Sequence, residues 1–419
     1  MPGDEPGFLP ALTRRRFLQA STLAGFSAFL AACAGGASPE PTATNAPAAT
    51  TGPTAAPTPV PAPTGPLQFA NWEAYIDQTT EADANTGVLP PGSSPTIEAF
   101  KKKYKVDVNY VEKINDNEEF YAQIQQPLSA QPPLPTGWDL IVMTDWMAAR
   151  LISKQWIEKL DHGDVPNCTA NLRDALKNQA WDPGNDYHYP WQSGMTGIGY
   201  NTKTLAAAGK PEPKSLKALY SLPANKITFL TESRDTFGLG LLKLGKSADP
   251  ATTTADDLQA VHDDIKPLAA NGLRFTGNDY LQDFASKKVW AAMVWSGDLA
   301  SSGTEGDTFV FPEEGCMVWT DNMLIPKGAA NKYTAELMMN FVYDPQIAAQ
   351  IENYVYYVCP VNGVEDILKQ LNASAPLDDY HLGLLFPTAE IIAKQHNFQF
   401  LQPDVDTKLK ELFLDLSGQ

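Results

Sequence analysis

The sequence predicts an α/β protein of two similar lobes, and three observations carry that prediction. From Leu67 onward, short apolar runs with strand-like alternation trade places with runs of helical period, the pattern that βαβ units and largely parallel sheets produce. Setting aside the first 65 of 419 residues leaves 354, enough for two ordinary domains with their own interiors. A hydrophobic content of 43%, with 10% aromatic residues, supports a packed body and excludes a largely disordered chain.

The elements follow in order. Leu67 to Trp72 reads as a first strand. Pro95 to Phe100 opens a helix with proline in its first turn, and Val106 to Val111 returns as a strand. Glu118 to Ile124 is helical, and Asp139 to Thr144 is a buried strand. In the second half, Lys226 to Leu230, Val289 to Trp295 and Cys316 to Ile325 are strand-like. Thr254 to Ile265 reads as an N-capped helix, and Tyr333 to Tyr343 and Thr407 to Leu416 are helical.

What precedes Leu67 is address and tether. Residues 1–32 set Arg14, Arg15 and Arg16 before an apolar run ending at Ala32, which is the pattern of a twin-arginine export signal. Gln19, Ser21, Thr22 and Ser27 make that run a poor permanent membrane span. Leu30-Ala31-Ala32-Cys33 resembles a bacterial lipobox, so Cys33 is expected to carry lipid. Residues 33–66 read as a stalk, because the nine prolines between 39 and 66 favour extended chain and leave too little apolar surface to fold. The body is therefore expected outside the cytoplasm, lipid-anchored to the cell membrane.

The formal net charge is −18, and the first 32 residues contribute +1, so the exported part carries −19. That balance argues against nucleic-acid binding, which needs a basic footprint, and is compatible with capturing cations. Catalytic motifs are absent from the pattern. The five histidines form no H-E-x-x-H spacing, Gly238, Gly240 and Gly245 lack the dinucleotide fingerprint, and Ser193 lacks the glycine of a nucleophile elbow. His262-Asp263-Asp264 reads as a solvated helix surface. Cys168, Cys316 and Cys359 read as small buried residues, one pair of which could bridge. No catalytic residue, metal or cofactor is expected.

Aromatic residues and carboxylates gather at the carboxyl ends of the predicted strands, where open α/β sheets bind ligands. Trp72 and Tyr75 close the first strand; Asp145 and Trp146 follow Thr144; Glu232, Arg234 and Asp235 follow Leu230; Trp295 and Asp298 end another. Trp319 and Asp321 are two apart in a strand and share one face. Such a set suits ammonium groups on an apolar chain: carboxylates pair with the cations, and indole faces attract them by roughly 0.5–2 kcal/mol while packing the methylenes.

These residues resemble the spermidine/putrescine periplasmic binding proteins of bacterial ABC importers. Asn71-Trp72-Glu73-Ala74-Tyr75 is similar to that family's N-W-x-x-Y segment, and Asp139-Leu140-Ile141-Val142 to its D-L-hydrophobic strand. Asp182 to Tyr187, Pro190-Trp191 and Gly197 to Asn201 are similar to its crossover. The resemblance implies a type II periplasmic-binding-protein fold, with hinge-linked lobes around a central cleft. Lobe I would comprise 67–198 plus 320–366 and lobe II 199–319 plus 367–419, with crossovers near Ile198, Trp319 and residue 366. It places ligand-binding roles on Trp72, Tyr75, Thr144, Trp146, Glu232, Asp235, Trp295, Trp319, Asp321, Tyr357 and Gln399, with Tyr356 as the alternative to Tyr357. Glu73, Asp145 and the segment from Gln78 to Pro95 depart from the best-known members, and both acids are included as ligand-binding residues. The implied partners are a polyamine and the membrane permease subunits, with the receptor a monomer. Another solute on the same scaffold (an amino acid, an opine-like compound, a sugar or a metal chelate) stays open, as do a surface hydrolase using Asp235 and Asp321 and a sensor that feeds no transporter.

Overall fold

The computed structural model describes residues 61–79 and 89–418. The export signal, Cys33 with its expected lipid, and residues 33–60 of the stalk lie outside the described residues, as do 80–88 of the segment after Gln78.

Ten strands lie in one hydrogen-bonded sheet: β1 (Leu67–Trp72), β2 (Val108–Ile114), β3 (Leu140–Thr144), β4 (His188–Asn201), β5 (Ile227–Leu230), β6 (Arg274–Thr276), β7 (Ala291–Trp295), β8 (Asp307–Val310), β9 (Cys316–Leu324) and β10 (Gln395–His396). The order is β2-β1-β3-β9-β4-β7-β5-β6, with β8 beside β4 and β10 beside β9. At one end β1 runs parallel to β2 and β3, and at the other β5 runs parallel to β6 and β7. Each parallel set is a lobe built from βαβ crossovers.

The middle of the sheet corrects the expectation of largely parallel strands. β9 is antiparallel to β3 and β4, and β4 is antiparallel to β7 and β8. The physical reason is that both central strands serve two lobes. β4 pairs with β9 from His188 to Thr196 and then with β7 and β8 as far as Asn201, carrying the chain from the first lobe to the second. β9 pairs with β10 at Cys316 and with β3 at Asp321 to Leu324, carrying it back. One strand going out beside one coming home must be antiparallel. The register slips between Pro190 and Gln192, where proline cannot donate to the ladder. Outside these strands, Ser193 also forms an antiparallel bridge with Val358. Residue 366, expected as a crossover, instead lies inside the helix Val364–Leu371, which packs on the helix Pro345–Val355. Further along the chain, the Tyr380 hydroxyl accepts from Phe309 N of β8.

Local chemistry sets the helices. Ser94 caps Pro95–Tyr104 by accepting from Ile97 N, and Asp116 caps Asn117–Leu128 by accepting from Glu119 N. Thr254 and Asp257 form a reciprocal capping box on Ala255–Ala270. Leu140, Ile141, Val142 and Met143 of β3 are wholly buried, as a strand covered on both faces requires.

Two further expectations are corrected, at His262 and in the stalk. His262 is buried and lies between Asp263 and Asp415, at 3.0 and 2.8 Å, so the run is packed at His262 and solvated at Asp263, whose side chain is 66% exposed. Cys168, Cys316 and Cys359 are small buried residues, as expected, and their thiols are free. The stalk does not run free to residue 66: Thr64 N donates to Thr334 Oγ1 at 2.9 Å and its hydroxyl to Asn331, which fastens the chain to the body.

Candidate functional site

The carboxyl ends of β1, β3, β5 and β7, together with the middle of β9, surround a cavity between the lobes, with about 450 Å³ of empty space that includes its opening to solvent. Trp72, Glu73, Tyr75, Thr144, Glu232, Asp235, Trp295, Trp319, Asp321, Tyr357 and Gln399 line it, all of them sequence-predicted site residues. Four of the lining carboxylates are buried and Glu73 is exposed at the mouth. Among the described residues, no lysine or arginine forms an ion pair with any of the five.

Aromatic rings fix the acids and frame the space. Trp295 Nε1 donates to Asp235 Oδ2 at 3.0 Å, and its ring meets Trp72 edge to face at 5.8 Å across the two lobes. Trp72 Nε1 is held by Val142 O, and Trp319 Nε1 by Thr196 Oγ1. Gly194 on β4 makes room for this: a Cβ there would sit 2.5 Å from the Trp319 ring and 2.8 Å from Tyr357. The indoles therefore keep their faces for the cavity while their N–H groups are spent on protein acceptors.

Asp321 accepts from the Thr144 hydroxyl at 2.8 Å and the Tyr75 hydroxyl at 2.9 Å. Thr144 in turn accepts from Asn117 Nδ2, and Glu232 accepts from both the backbone N and Nδ2 of Asn117 at 2.8 Å. Glu232 follows β5 and Asn117 opens a helix of the first lobe, so this acid bridges the lobes at a helix N-terminus, where negative charge is favoured. Burial pushes Asp321 up to about 7 and Asp235 up to about 6. Burial likewise drives Glu232 well above the usual range, with Asp116 adding to the rise.

Three of the unpartnered polar atoms in the lining point the same way, whereas a fourth, Arg234 Nη1, is a donor. Asp235 Oδ1, Asn278 Oδ1 and Gln399 Oε1 have no partner among the described residues, although the three residues are only 4%, 3% and 2% exposed. All three are acceptors lining one cavity, the complement of a ligand rich in N–H donors.

Two predicted residues lie elsewhere. Trp146 does not line the cavity because the chain's own cations take its ring, with the guanidinium carbons of Arg234 and Arg150 at 3.6 and 4.8 Å from the centroid. The Asp145 carboxylate turns to its own helix and accepts from Trp146 N at 2.9 Å. Tyr356, the alternative to Tyr357, caps a helix in the left-handed region with φ 57°.

Three lining residues were missing from the predicted set: Arg234, Asn278 and Asp298. Asp298 had the same signal as Trp295, three residues earlier on the same strand end. It accepts from the Tyr280 and Tyr357 hydroxyls and is pushed by burial up to about 6. Asn278 follows β6, whose three residues are too short to show alternation. Arg234 lines the cavity while bonded to Asp406 and to Gln399 O, so its charge is already neutralised.

Two lobes joined by crossing strands around an acid-and-indole cavity define a solute-binding protein. The chain belongs to the family of bacterial extracellular solute-binding proteins, whose model matches residues 95–366. It is 26% identical over 334 residues to the spermidine/putrescine-binding periplasmic protein of Salmonella typhimurium, covering 78% of this chain and 85% of that one. To the protein of the same description from Escherichia coli K12 it is 28% identical over 301 residues, covering 70% and 77%. Its fold matches a spermidine/putrescine ABC transporter structure from Listeria monocytogenes with a TM-score of 0.66 and 25% identity, over 84% of this chain and 98% of that one. A lipoprotein structure from Treponema pallidum shares the fold at a TM-score of 0.63 and 18% identity, over 84% and 99%. The type II two-lobed architecture implied by the sequence is thus the architecture of the chain.

Proposed function

We propose that the protein captures a linear polyamine, spermidine or putrescine, between its lobes and delivers it to the permease of an ABC importer. The observation that carries this reading is the cavity's lining: five carboxylates, none ion-paired among the described residues, interleaved with Trp72, Trp295, Trp319, Tyr75 and Tyr357. A buried charge is costly unless it is paired, so a ligand bearing two or more ammonium groups supplies what these acids lack. The rings then pack the methylenes and attract the cations. The names of the relatives support the same ligand class.

A hydrolase using Asp235 and Asp321 draws less support. Both Asp321 oxygens already accept hydroxyl hydrogens, and Trp295 holds one oxygen of Asp235. β4 and β9 are placed to act as hinge strands, with a ligand that touches both lobes favouring the closed state. Lipid on Cys33 would tether the receptor beside its permease, as a monomer.

The test is a calorimetric and thermal-shift panel of polyamines, amino acids and sugars on the purified protein. Polyamines are expected to raise the melting temperature and to bind, and stabilisation by sugars or amino acids alone would overturn the reading. Trp295→Ala is expected to weaken spermidine binding at least tenfold, because it removes an indole face and leaves Asp235 Oδ2 without its donor. Isothermal titration checks this, with circular dichroism confirming that the variant is folded.

A further inference from the structure

Beside the cavity the two lobes meet in a cluster of charged side chains around one indole. Arg234 follows β5, on the helix Ser233–Lys243, and its Nε donates to Gln399 O at 3.0 Å while its Nη2 pairs with Asp406. Its guanidinium carbon lies 3.6 Å from the centroid of the Trp146 ring, and Trp146 follows β3, on the helix Asp145–Ser153 of the other lobe. Both residues are buried, so this contact between the lobes is made out of water, where a cation–π pair is strongest.

Ion pairs extend the junction outward. Arg150, one turn along from Trp146, stands 4.8 Å from the same ring and pairs with Asp406 Oδ2 at 3.5 Å. Asp406 lies on the helix Pro403–Ser417, which packs on Ser233–Lys243 in the second lobe, and its other oxygen holds Arg234. One turn further, Lys410 Nζ reaches Glu118 Oε1 at 2.9 Å, and Glu118 of the first lobe also accepts from Arg150 Nη1. Both ion pairs that cross between the lobes, Arg150 with Asp406 and Lys410 with Glu118, join opposite charges. Of these six residues only Arg234 lines the cavity. Opening the cleft parts Arg234 from the ring and breaks both cross-lobe pairs, so their free energy belongs to the closed form whatever solute the cleft holds.

We propose that Trp146, Arg150 and Glu118 of the first lobe and Arg234, Asp406 and Lys410 of the second form a clasp that sets how readily the cleft closes, and so scales the affinity for every solute by one factor. This rests on the solute-binding reading, with polyamines as the ligands of the test. A residue that touches ligand changes the affinities of different ligands unequally. A residue that acts on closure alone changes the share of protein in the competent form, and that share multiplies all affinities alike.

The experiment is isothermal titration of spermidine and putrescine into the wild type, Lys410→Gln, Glu118→Gln, the double variant and Trp146→Leu. Paired spin labels, one on each lobe, report lobe separation in the same proteins without ligand. Glu118 and Lys410 are partly exposed on helix surfaces, so their glutamine variants keep the fold. Lys410→Gln is expected to lose about threefold in affinity, the usual worth of a partly exposed pair, and by factors that agree within twofold for the two amines. The double variant is expected to lose no more than Glu118→Gln alone, because a broken pair cannot be broken again. Trp146→Leu is expected to lose tenfold or more for both amines, and every variant to shift the ligand-free protein toward wider separations. Losses confined to one amine, a double variant whose loss is the product of the two single losses, or unchanged lobe separations would overturn the clasp and leave the polyamine reading standing. A wild type that binds neither amine would overturn that reading, and the lobe separations would still decide the clasp.

Discussion

Asp321→Asn is expected to weaken spermidine binding by about a hundredfold, close to 2.7 kcal/mol, while leaving the ligand-free protein as stable as before or slightly more so. The two halves of that expectation have one cause. Asp321 is wholly enclosed by the fold, and its partners are the neutral hydroxyls of Tyr75 and Thr144. Without ligand its charge is a burden, which is why burial raises it to about 7. Removing one member of a buried ion pair costs ~3–5 kcal/mol, and relief of that burden in the free protein returns part of it. The asparagine fits the same space, and the two hydroxyls can turn to accept from its Nδ2 as well as donate to its Oδ1. The fold survives, and the ammonium loses its counter-charge. Calorimetry gives the affinity and a thermal melt gives the stability. Affinity within threefold of the wild type would remove Asp321 from the site, and a melting temperature lowered by many degrees would mean that the residue holds the fold.

Much of this site was legible in the sequence because strand ends are legible. β1, β3 and β7 end in runs of apolar residues followed at once by an aromatic or an acid, and the fold sends each of those ends to one cleft. The failures have equally local causes. Trp146 follows β3 as the pattern required, yet its fate was decided by Arg234, which is distant in sequence and comes to its ring only through folding, together with Arg150 one turn further along its own helix. Asn117 was invisible as a site residue because its role depends on the opening of one lobe's helix meeting Glu232 of the other. The antiparallel middle of the sheet was missed for a related reason. Apolar alternation in β4 and β9 shows that they are strands, whereas their direction follows from serving two lobes, a fact about topology that period-two patterning does not carry. Asp298 was within reach, three residues past Trp295.

Spermidine affinity is expected to rise as pH increases from about 5 to about 7.5, with protons released on binding near pH 6. The carboxylates that line the cavity set this window. Burial raises Asp235 and Asp298 to about 6 and Asp321 to about 7, from an ordinary value of 3.8. Because these acids are raised in the folded state, protonation favours the ligand-free fold. That contribution is complete below the ordinary value and disappears as pH rises through 6 and 7. A bound ammonium reverses the effect, since only the ionised acid pairs with it, so binding must expel whatever protons the acids carry. The amines stay charged across this range, as an alkylammonium near 10.4 does, and cannot account for the dependence. Asp145 and Glu352 are also raised by burial, to about 8, but they do not line the cavity, and of the two only Asp145 feels the charge of Asp321. Two measurements check the argument. Titration at pH 6 in buffers of different ionisation enthalpy should show proton release that is nearly gone at pH 8 and smaller in Asp321→Asn. The rise in melting temperature caused by spermidine should be greater at pH 8 than at pH 5.5. A flat affinity across this range, with no buffer dependence, would mean that the cavity acids are already ionised without ligand, and the cost of their burial would then have to be met by solvent entering an open cleft.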